Sequence, residues 1–138
     1  MKRKVIAIML AISALFLIGV PVCAHNGENT AFPYYLYTYS VKSDLIIVNG
    51  TTYCKSVITG DSTVTQIYAT QYLEKKNGDK WEVVKGCTWS DSVKGKSLTI
   101  SNSKDNLGSG TYRVRTVGTV YSGSNSEPVE DTSKEVTI

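Results

Sequence analysis

Apolar and polar residues alternate with a period of two through much of this chain, most clearly between Leu107 and Tyr121. Tyr112, Val114, Thr116 and Val120 fall on one side of that segment; Arg113, Arg115, Val117, Thr119 and Tyr121 fall on the other. One face packs and the other meets water. A second long segment, Thr63 to Lys76, places Ile67, Ala69, Gln71 and Leu73 on one face and Tyr68, Thr70, Tyr72 and Glu74 on the other. Asn77-Gly78-Asp79 predicts a hairpin onto Trp81 to Lys85, and Asn49-Gly50 another between Leu45–Val48 and Tyr53–Thr59. Tyr34 to Tyr39, rich in strand formers, is the first strand or a lead-in to it. Lys42-Ser43-Asp44 reads as a break and Asn102 to Asn106 as a polar loop after the short strand Ser97–Ser101. Gly86, with the uneven pattern through Cys87, Trp89 and Val93, predicts a bulge or a sheet-switching bend. The last strand is expected over Val129–Ile138, with Pro128 at an edge or bulge position.

Short strands between recurring turn signals, with no sustained helical period, predict an all-β chain. The expectation is a single immunoglobulin-like or fibronectin-like β-sandwich of about seven antiparallel strands over residues 34–138. Gly108-Ser109-Gly110 ahead of Tyr112 looks like the tyrosine corner of such sandwiches, in which the Tyr hydroxyl bonds back to the preceding turn.

Tyr72-Leu73-Glu74-Lys75-Lys76-Asn77-Gly78, Trp81, Gly95-Lys96-Ser97-Leu98-Thr99 and Gly110-Thr111-Tyr112-Arg113-Val114-Arg115-Thr116 carry a resemblance from about Thr52 onward. With these motifs the chain resembles small exported β-sandwich domains of unknown function from Gram-positive bacteria. The resemblance implies an exported bacterial sandwich and brings no catalytic residue with it.

Residues 1–24 read as a secretory signal peptide: Lys2-Arg3-Lys4, an apolar stretch from Val5 to Val20, then Val22-Cys23-Ala24 as the cleavage region. Residues 25–33 read as a polar, flexible leader. Cleavage before His25 changes the charge. The full chain has 15 basic and 12 acidic residues and a net charge of +3. Three of the basic residues lie in the signal, which leaves a mature chain of zero net charge with no basic stripe for nucleic acid. The mature protein is expected to be secreted, with no membrane association. Cys23 departs with the signal, leaving Cys54 and Cys87, and in an oxidising destination an even pair is expected as a disulfide. Two buried thiols are the other reading.

Candidate chemistry is sparse, and no cofactor or metal is expected. The one histidine, His25, lies in the leader, which leaves a histidine-based triad, a zinc site or an amine-and-imidazole copper site short of ligands. Gly108-Ser109-Gly110 precedes a strand, whereas a phosphate-binding loop opens a helix. No pair of carboxylates is singled out by spacing. The chain therefore reads as a non-enzyme. The two long strands, if neighbours, bring Tyr68, Tyr72, Arg113, Arg115 and Tyr121 onto one outward face. Arginine stacked on tyrosine makes a platform for sugar rings or acidic polymers, and it equally covers a solvated sheet. Two functional readings follow: a binding or surface-interaction domain for a cell-wall glycan or a surface protein, or a small secreted antagonist of the bacteriocin or inhibitor kind.

Overall fold

A computed structural model describes residues 34–138; the expected signal peptide and leader lie outside the described residues. The strands are β1 (Thr38–Val48), β2 (Thr51–Gly60), β3 (Gln66–Asn77), β4 (Lys80–Val93), β5 (Ser97–Asp105), β6 (Thr111–Ser122), β7 (Asn125–Thr132) and β8 (Val136–Thr137). All pairings are antiparallel. One sheet has the order β1-β2-β5 and the other β4-β3-β6-β7, with β8 extending the second beside β6. Crossing between the sheets from β2 to β3 and back through β5 makes this the expected immunoglobulin-like, fibronectin-like sandwich. No helix among the described residues is long and apolar enough to cross a membrane.

The alternation read from the sequence is the observed burial. Along β6 every residue from Tyr112 to Val120 on the even positions is buried, and along β3 Ile67, Ala69, Gln71 and Leu73 are buried. The Tyr112 hydroxyl donates to the Gly108 carbonyl at 2.7 Å, which is the expected corner. Gly86 sits at φ +76, a conformation that favours glycine. Around it the pairing of β4 with β3 jumps from Tyr72↔Thr88 to Glu74↔Val83, so four β4 residues oppose Leu73 alone. That is a bulge within one sheet, and it turns Cys87 into the core.

Three strand boundaries differ from expectation. β1 runs unbroken through Lys42-Ser43-Asp44, and β5 continues through Asn102 to Asp105. Both polar stretches stay extended because their inward residues enter a buried hydrogen-bonded seam between the sheets. Asn102 Nδ2 donates to Gln71 Oε1 (3.0 Å), and Gln71 Nε2 donates to Ser56 Oγ (2.7 Å). Ser56, Thr116 and Ser43 are then joined through their hydroxyls at 2.6 and 2.7 Å, and Ser43 Oγ donates to the Asp131 carbonyl. The C-terminal strand is divided in two: β7 begins at Asn125, and Ser133 leaves it to bond with Val114 before β8. Pro128 lies in β7, at the sheet edge.

The seam separates two apolar clusters. One is built on Ile58, Ile67, Leu98, Val120 and Val129, the other on Leu45, Cys54, Leu73, Cys87, Tyr112 and Val114, and Trp89 packs against both. The expected disulfide between Cys54 and Cys87 is not formed: both are free, buried thiols. Cys87 Sγ faces the Lys85 carbonyl at 3.9 Å, within the bulge. Ahead of β1, Glu127 accepts bonds from the Leu36 and Tyr37 amides (2.7 and 2.9 Å) and from Thr38 Oγ1 (2.7 Å), so the tyrosine-rich stretch is a lead-in pinned to β7.

Candidate outer-face binding site

Register decides what the outer face of the five-stranded sheet can do. β3 pairs with β6 so that Tyr68 lies opposite Thr119, Thr70 opposite Val117, Tyr72 opposite Arg115 and Glu74 opposite Arg113. On the other side of β3, Ser92 lies opposite Tyr68 and Ser90 opposite Thr70. All five residues expected on this face are there, in two groups.

The first group is a clamp. Arg113 Nε and Arg115 Nε donate to different oxygens of Glu74, at 2.8 and 2.7 Å. The Arg113 guanidinium carbon stands 4.2 Å from the centre of the Trp81 ring, and that of Arg115 stands 4.6 Å from the Tyr72 ring. The Glu74 side chain is only 5% exposed. Burial raises its carboxyl, and the bonds from Arg115 and Arg113 more than offset this, holding it below the usual carboxylate value. The bond to Glu74 in turn raises Arg115 against the opposing effect of burial. Both guanidinium groups are thus stacked on a ring and bonded to the one carboxylate at the sheet surface. Glu74 and Trp81 are the members of the clamp that the sequence did not single out. The signal for Glu74 was present as a carboxylate on the tyrosine face of β3, but only the register with β6 pairs it with arginine.

The second group borders a hollow. The Tyr68 and Tyr121 rings meet edge to face, centroids 6.0 Å apart, and Tyr68 is half exposed. Beside Tyr68 a shallow trough of about 600 Å³ crosses the strands, lined by Thr70, Ser90, Ser92, Val117 and Thr119. Thr70 Oγ1 and Ser90 Oγ share a hydrogen bond of 2.8 Å on its floor. Tyr68 and Tyr72 are four residues apart on one strand, so they stand about 13 Å from one another along it. The trough floor lies between them.

Elsewhere the chain offers little chemistry. Burial, with the charge of Cys87 as a lesser cause, pushes the Cys54 thiol up to about 12, and burial raises Cys87 as well, so neither is a thiolate at neutral pH. Among the described residues no three His, Cys, Asp or Glu side chains gather as a metal site. The outer face of the three-stranded sheet exposes Ile46, Val48 and Tyr53. No protein-family model matches the chain, and neither a curated protein nor a solved structure shows significant similarity to it.

Proposed function

We propose that this is an exported, non-catalytic binding domain whose ligand, a cell-wall glycan or a surface protein, lies on the outer face of the five-stranded sheet beside Tyr68. The observation that carries this reading is the trough itself: a polar hollow beside the half-exposed Tyr68 ring, on a sheet face whose charged groups are fixed before any ligand arrives. A site held in one geometry loses less entropy on binding. Export is supported by the order of basic, apolar and small-residue segments in residues 1–24.

Within this face the roles divide. Arg113 and Arg115 brace Glu74, and Tyr72 and Trp81 cover the arginines, so the clamp holds the platform while Tyr68 and Tyr121 offer ring surface. Removal of Arg115 leaves a buried carboxylate short of a partner and lowers stability whatever the ligand, so the clamp is the wrong place to test binding. Tyr68→Ala removes a half-exposed ring instead. Retention of the purified protein on isolated cell wall and on immobilised glycans and surface proteins should fall by about 2 kcal/mol in this variant, with a melting temperature within a few degrees of the parent. Unchanged retention together with lost stability would reduce the face to a solvated sheet.

A further inference from the structure

We infer that the trough takes a neutral glycan and turns away acidic polymers; this rests on the binding reading above and names its ligand class. The residues lining the hollow include no lysine or arginine, and its one acidic residue, Asp91, lies opposite the inward Ala69. The two nearest arginines on the face are held by Glu74, and Arg115 lies 3.7 Å from Glu130 as well. Two guanidinium groups therefore meet two carboxylates. A phosphate or carboxylate polymer finds no unmatched cation there to hold it.

The floor favours the same class of ligand. Thr70, Ser90, Ser92 and Thr119 present hydroxyls, each a donor and an acceptor at once, and the Thr70–Ser90 bond uses one proton of its two hydroxyls. Sugar hydroxyls have the same dual character and match such a floor in either direction. Ionised phosphates and carboxylates only accept, so they leave the acceptor half of the floor unused. Tyr68 adds an exposed ring against which the apolar side of a pyranose can rest. The trough also crosses the strands in the open, a shape suited to a length of polymer.

The test is calorimetric titration of the purified protein with chitohexaose and cellohexaose as neutral probes and with polyphosphate and hyaluronan as acidic ones, at low and high salt. A neutral oligosaccharide should bind, with an affinity that changes less than about twofold with salt. Tyr68→Ala and Thr70→Trp, the second filling the hollow, should each weaken it about tenfold or more while the melting temperature holds. Binding of acidic probes alone, salt-sensitive and lost in Tyr68→Ala, would overturn the neutral ligand and keep the binding face. Failure of all four probes, with cell-wall retention still dependent on Tyr68, would do the same. If neither retention nor any titration responds to Tyr68→Ala or Thr70→Trp, both readings fall.

Discussion

Glu74 shows how one residue can hold a surface in place. Its two oxygens each take a bond from a different arginine, and its folded carboxyl lies below the ordinary value of 4.5. A lowered folded value means that the stabilisation is fully present above about that pH and is lost as pH falls through the folded value. Glu74→Gln should cost about 2 kcal/mol at neutral pH, since two charge-assisted bonds are weakened together. The gap between parent and variant, read from urea midpoints, should close as the solution is acidified; a constant gap would mean that the charge is irrelevant. Tyr112 is the simpler case. Its hydroxyl ties the chain to the Gly108 carbonyl, so Tyr112→Phe should lower the urea midpoint by the equivalent of about 1 kcal/mol without loss of the fold. The corner was legible in the sequence because its partners are four residues apart, whereas the Glu74 clamp joins residues 39 and 41 positions distant and depends on register.

At the level of elements, strands with apolar inward residues were legible and those with polar inward residues were not. β3 and β6 announce themselves through alternating side chains, and the β4 bulge through Gly86. β1 and β5 hide, because Ser43 and Asn102 are a turn's residues by composition and a core's residues by position. The seam they join should be intolerant of apolar repair. Thr116→Val keeps shape and adds hydrophobicity, yet it leaves the Ser56 hydroxyl without the acceptor it meets at 2.6 Å. Thermal or urea denaturation should show a loss of about 1–3 kcal/mol. A neutral or stabilised variant would mean that the seam contributes nothing beyond its volume.

For the molecule as a whole, two layers, antiparallel pairing and the identity of the packed faces follow from the sequence pattern, while the state of the cysteines does not. Even counts speak for a bond; the structure has two free thiols in one apolar cluster. The seam also has a direction. Ser43 gives its only proton to the Asp131 carbonyl, so it accepts from Thr116, and Thr116 in turn accepts from Ser56, which accepts from the Gln71 amide. The hydroxyls of Ser43, Thr116 and Ser56 are thereby all set the same way. Thr116 and Ser56 are out of reach of water, so their hydroxyl protons should exchange slowly enough to give resolved resonances in a proton NMR spectrum, a signature that a solvent-exposed serine or threonine does not leave.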